Sequence, residues 1–102
     1  MAGNNKHATL LSNASTTGSS VFVKEGGRYT FRIDGTFNGA TAQLQILSPS
    51  DPGDESVWMD VEDGAFTAEG AVTVEVSSYV KYRVEITGSP SGMYASFDKV
   101  SS

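Results

Sequence analysis

From Val21 onward the chain alternates apolar and polar residues with a period of two. Tyr29, Phe31 and Ile33 are separated by Thr30 and Arg32, and Ala42, Leu44 and Ile46 by Gln43 and Gln45. Val72, Val74 and Val76 repeat the pattern, as do Val80, Tyr82, Val84 and Ile86. Successive side chains on a strand point to opposite faces, so each run reads as a strand with one buried face. The runs are rich in Val, Thr, Tyr and Phe, which suit a pleated surface. No stretch holds helical spacing beyond a turn or two. The expected strands are 20–23, 28–34, 40–48, 56–61, 64–67, 71–77, 79–87 and 93–99.

The punctuation between runs is regular. Gly26-Gly27, Asp34-Gly35, Asn38-Gly39, Asp63-Gly64, Glu69-Gly70 and the segment Gly88 to Gly92 supply turns, and Pro49 to Gly53 reads as a loop. Asn-Gly and Asp-Gly give the positive φ that tight hairpins need. Short strands with closely spaced turns predict an all-β fold, a two-sheet antiparallel β-sandwich or jelly roll of about eight strands. Its core is expected to hold Val21 or Phe22, Tyr29, Phe31, Ile33, Leu44, Ile46, Val57, Val72, Val74, Val76, Val80, Tyr82, Val84, Ile86 and Phe97.

The first nineteen residues break the pattern. Ser12 to Ser20 is small and polar, and Ala8 to Leu11 is the one apolar patch. This predicts two parts: residues 1–19 as an extended N-terminal arm and residues 20–102 as the β-sandwich domain. An apolar patch in an arm needs a sheet edge or a neighbouring chain to cover it. Lys6, Leu10 and Leu11 are therefore candidate arm anchors. On that expectation, replacing both leucines by Asp weakens binding without unfolding the domain.

Composition narrows the chemistry. The 102 residues carry no Cys, which excludes disulfides, thiol catalysis and Cys-ligated zinc. Asp+Glu 12 against Lys+Arg 7 leaves a net charge of −5, and the pI of about 4.6 argues against nucleic acid as a partner. No apolar run approaches the ~20 residues of a membrane span, and the first residues carry no secretory h-region. Asn13-Ala14-Ser15 matches a glycosylation sequon and is read as chance in that context. The one histidine, His7, sits in the expected arm, so no rigidly held base for a nucleophilic triad is foreseen. Asp51, Asp54, Glu55, Asp60, Glu62 and Asp63 could pair as glycosidase carboxylates or bind Ca²⁺. They lack EF-hand spacing, however, and read as a solvated acidic loop. The glycine pairs carry no phosphate-loop lysine. The expectation is a non-enzyme without metal or cofactor. Trp58, Tyr79 and Tyr94 lie out of phase with the apolar faces of their strands and are candidate exposed aromatics. They could form one patch for another subunit, and Trp58 could stack on a sugar. The reverse phase would put Trp58 in the core.

The stretch Val21 to Gln45, with its Lys24-Glu25-Gly26-Gly27-Arg28-Tyr29-Thr30-Phe31 segment, resembles small virion structural proteins of tailed bacteriophages. Phe66 to Val76, Tyr82 to Gly88 and Gly92 to Phe97 resemble the same group. The resemblance implies a head decoration (cement) protein, often trimeric, on the outer capsid lattice. Its partners would be the major capsid protein and copies of itself. It would be located on the virion surface after assembly in the host cytoplasm, with the arm joining capsid or inter-subunit contacts. A tail or fibre-associated protein is the neighbouring alternative. Gly27 to Phe31 is also similar to small sandwich modules appended to secreted peptidases, so a carbohydrate-binding module is a further alternative.

Overall fold

The computed structural model describes residues 7–47 and 57–100. In chain order the strands are β1 His7–Ala14, β2 Val21–Val23, β3 Gly27–Thr36, β4 Thr41–Leu47, β5 Trp58–Phe66, β6 Gly70–Val76, β7 Val80–Thr87 and β8 Ser91–Lys99. They form two four-stranded sheets, β1-β8-β3-β6 and β2-β7-β4-β5, with every pair antiparallel. The pairs β4·β5, β3·β6, β2·β7 and β1·β8 nest like one long hairpin that has been rolled up, and β3·β8 and β4·β7 close each sheet. That is the jelly-roll arrangement of a β-sandwich.

Nesting changes what the turns do. Every connection except β4 to β5 carries the chain from one sheet to the other. Asn38 and Gly39 have φ of 51° and 78°, and Ala40 N–H donates to Phe37 O at 2.8 Å, as in a type I′ turn. Yet this turn joins β3 and β4 across the layers, where the sequence signal predicts a hairpin within one sheet.

The core forms where the alternating faces meet. Tyr29, Phe31 and Ile33 of β3 face Ala42 and Leu44 of β4 and Tyr82 and Val84 of β7, all buried. Phe97 is the hub. Its ring lies 5.7 Å from Tyr29, 5.9 Å from Phe31 and 5.4 Å, edge on, from Tyr82 of the opposite sheet. Such tilted and edge-on pairs align ring edges with ring faces. The Tyr82 hydroxyl accepts from Ser77 N–H at 2.9 Å, so the buried ring keeps its polar tip satisfied.

Three expectations are corrected. First, residues 7–14 are not an arm. They form β1, which zips onto β8 from His7↔Asp98 to Ala14↔Met93. A register shift between Thr9 and Leu11 lets two consecutive leucines sink into the core, Leu10 at 4% and Leu11 at 3% exposure. The segment after β1 is tied down as well: Gly18 N–H donates to Val84 O at 3.1 Å, and Ile86 N–H donates to Thr17 Oγ1 at 3.0 Å. The expected boundary between residues 19 and 20 therefore falls inside the domain. Second, 56–61 and 64–67 are one strand. Two steps along β4, Gln43 to Gln45, are matched by five along β5, Ala65 back to Asp60. The extra residues make a wide bulge with Asp63 at φ 65°. Asp63-Gly64 is thus a bulge signal and not a turn. Third, Val57 and Phe22 are outside the core, at 43% and 48% exposure, while Phe37, Met93 and Ala95 are inside it.

Candidate functional site

The three aromatics read as one candidate patch do not meet. Tyr94 points outward from β8, between buried Met93 and Ala95, on the outer face of the first sheet. Trp58 lies opposite Leu47 on β5 and shares the outer face of the second sheet with Gln45 and Asp60. Tyr79 is in the turn between β6 and β7. Tyr94 and Trp58 therefore sit on opposite outer surfaces of the sandwich.

Trp58 is neither bare nor core. The Arg83 guanidinium lies 4.6 Å from its ring centre. Arg83 Nε also donates to Gln45 Oε1 at 2.9 Å, and Gln45 Nε2 donates to Asp60 Oδ1 at 2.9 Å and to Glu85 Oε1 at 3.4 Å. This ladder crosses β7, β4 and β5 and explains how a glutamine is buried on an outer face. A cation over the indole occupies a ring face that a sugar would need.

Tyr79 has a partner the sequence did not suggest. Its ring lies 6.2 Å from that of Phe22, and the two are 72% and 48% exposed. Tyr79 has φ 60°, a region costly for a bulky residue, and its N–H donates to Val23 O at 2.6 Å. The turn is thus bonded to the end of β2, and the backbone presents both rings to solvent. Phase could have revealed Phe22: in Val21-Phe22-Val23 the two valines claim the inner face.

Beside this pair opens a groove of about 690 Å³, lined by Ala8, Val23, Lys24, Glu25, Tyr29 and Ser78 among others. Tyr29 hydroxyl donates to Glu25 O at 2.6 Å, and Lys99 Nζ pairs with the Glu25 carboxylate. Burial pushes the Tyr29 phenol above its ordinary pKa of 10.0. Lys99 pulls the other way, and Glu25 adds to the rise.

Among the other expected site residues, Leu10 and Leu11 belong to the core, so they cannot anchor the chain to another protein. Lys6 lies outside the described residues, as do Asp51, Asp54 and Glu55. His7 Nδ1 lies 2.6 Å from Asp98 Oδ1 across the β1·β8 ladder. Asp60, Glu62 and Asp63 are exposed on β5. Among the described residues, no cluster of three or more His, Asp or Glu could hold a metal ion, and no helix is long and apolar enough to cross a membrane.

Charge divides between the two flanks of the sandwich. The flank built from β1 and β2 spans residues 7–24, which contain no carboxylate and end in Lys24. The flank built from β5 and β6 spans 58–76 and carries Asp60, Glu62, Asp63, Glu69 and Glu75, with no Lys or Arg. Comparison with protein-family models, with curated proteins and with solved structures finds no match, so the functional reading rests on this surface and on the motif resemblance.

Proposed function

We propose that this chain is a non-enzymatic phage head decoration protein, a jelly-roll module that docks on the outer capsid lattice through its surface and works as a homotrimer. The observation that carries the reading is the Phe22–Tyr79 pair. Two large rings touch each other outside a core in which Tyr29, Phe31, Tyr82 and Phe97 pack ring on ring. Exposed aromatics beside a groove are typical anchors for another chain, whether a capsid subunit or a second copy in the trimer. Jelly rolls serve as viral capsid domains and as lectins, so the fold agrees with a virion role without dictating it. The Arg83-covered ring of Trp58 weighs against the carbohydrate alternative.

The leucine-anchored arm has no place in this mechanism. Docking falls to side chains of the folded domain, so little conformational entropy is lost on binding. The test is cosedimentation of the purified chain with phage heads stripped of their decoration. Saturable binding in fixed proportion to the major capsid protein is expected. Absence of binding at micromolar concentrations, or titration by a glycan with quenching of Trp58 fluorescence, overturns the proposal.

A further inference from the structure

The second sheet ends in two short, complementary edges, and we infer that they join: the β2 edge of one copy binds the β5 edge of the next, head to tail. The inference deepens the self-association assumed above and rests on that reading for its setting, but the surfaces come from the fold itself.

Length comes first. β2 offers three residues, Val21–Val23. On β5 the regular ladder with β4 runs only over Trp58 to Asp60 before the bulge. Both are outermost strands of the sheet. An edge strand presents unpaired N–H and C=O groups along its open side, a template for strand addition. The bulge ends the β5 template after three residues, and the register that matches faces sets Val23 opposite Met59 and Phe22 opposite Asp60, diagonal to Trp58.

Direction agrees too. β2 is antiparallel to β7, β7 to β4, and β4 to β5, so β2 and β5 run in opposite senses. Rotating a copy about an axis parallel to the strands preserves those senses. The β5 of one copy then meets the β2 of the next antiparallel, and the sheet continues in the pattern it already has.

Side chains and charge complete the match. Met59 shares the phase of Ile46, toward the inter-sheet rim, yet is 48% exposed. The groove beside β2 opens on the same rim, between Ala8 and Val23. A flexible methionine suits such a groove. On the outer face, Phe22 comes alongside Trp58. Lys24 follows directly on β2, where it would face the carboxylates of the β5 flank. Opposite fields across a contact select this pairing over β2–β2 or β5–β5, which would set like charges together. Because the two surfaces differ, the contact is heterologous, and it closes into a ring when the rotation between copies divides a full turn.

The experiment is complementation between two half-dead variants, read by sedimentation velocity. One carries Phe22→Thr with Tyr79→Asn, the latter chosen because Asn tolerates positive φ. The other carries Met59→Asp. Circular dichroism and thermal melting verify that both fold. Wild type is expected to give one species larger than a dimer. Each variant alone should be monomeric, with association weakened by on the order of 30-fold or more, as loss of a central anchor does. Their equimolar mixture should form a 1:1 dimer, because one intact pair of edges remains. Amide exchange in wild type should slow at Val21–Val23 and Trp58–Asp60 relative to the monomeric variants. Glu62→Lys should weaken association, and adding Lys24→Glu to the same chain should restore it. A monomeric wild type at millimolar concentration, or folded variants that fail to complement, overturns the inference. The two proposals fail distinguishably: a chain that binds heads as a monomer refutes the edge contact and the homotrimer but leaves the decoration role, and a ring that ignores heads refutes the decoration role alone.

Discussion

The two flanks of the sandwich solve the edge-strand problem in opposite ways. On one flank, β1 is sealed by a pair of consecutive buried leucines, and β2 is cut to three residues and braced by the Tyr79 turn. On the other, β5 runs nine residues but is broken by a wide bulge around Asp63-Gly64 and carries acidic side chains outward. Shortness limits what the first edge can pair with; a bulge and charge limit the second. The difference teaches that the apolar residues of the first flank are structural, while its exposed aromatics are the part left over for other molecules.

The sharpest way to break that distinction is at Leu10 and Leu11. Truncating a buried leucine costs about 2–5 kcal/mol, and an Asp there is also denied water. The double replacement Leu10→Asp, Leu11→Asp should consume most of the ~5–15 kcal/mol typical of a domain and abolish the cooperative thermal transition. Under the arm expectation the same variant would melt like wild type. Phe22→Thr on the same flank should move the stability of the dissociated chain by only about 0.5 kcal/mol or less.

A smaller effect tests the opposite flank. Gly64 is buried under the bulge, where a Cβ would lie 2.9 Å from Leu44 Cβ and 3.0 Å from Val61 O. Gln43 Nε2 already donates to that Val61 carbonyl at 3.1 Å, which pins the bulge. Gly64→Ala should cost about 1–3 kcal/mol of overpacking, read as a lowered urea midpoint. An unchanged midpoint would mean that the bulge can give way.

The mildest test returns to the groove. The Tyr29 phenol has a raised pKa in the folded chain, so folding favours its neutral form. That contribution is fully present below the unfolded value near 10.0 and is lost as pH rises through the higher folded value. Denaturant midpoints should therefore fall above pH 10, and Tyr29→Phe should flatten the fall. An equal slope in the variant would show that Tyr29 titrates as it does in the unfolded chain.

Where a period of two held, the sequence was readable. β3, β4, β6, β7 and β8 lie within a few residues of expectation because each buries one regular face. Eight strands were expected and the described residues hold eight, but two opposite misreadings cancel in that number. β1 was hidden because Leu10 and Leu11 are adjacent, and only a register shift lets both face inward. β5 was divided because Asp63-Gly64 serves a bulge as readily as a turn; both need positive φ. The surface was less legible. Trp58, Tyr79 and Tyr94 were recognised as out of phase, yet their separation depends on which sheet each strand joins, and local pattern carries no record of that. Phe22 gained its meaning only from Tyr79, fifty-seven residues away in the chain and 6.2 Å away in space.

The β1·β8 ladder has a consequence for how the molecule is made. His7 meets Asp98, 91 positions further along the sequence. β1 therefore cannot find its neighbour until β8 has also left the ribosome. Loops of that span close slowly, and topologies dominated by distant pairings fold in milliseconds to seconds, not microseconds. Until closure, the two leucines stand uncovered in the nascent chain. The interval between synthesis and the final docking of the first strand is when this protein is most exposed to aggregation.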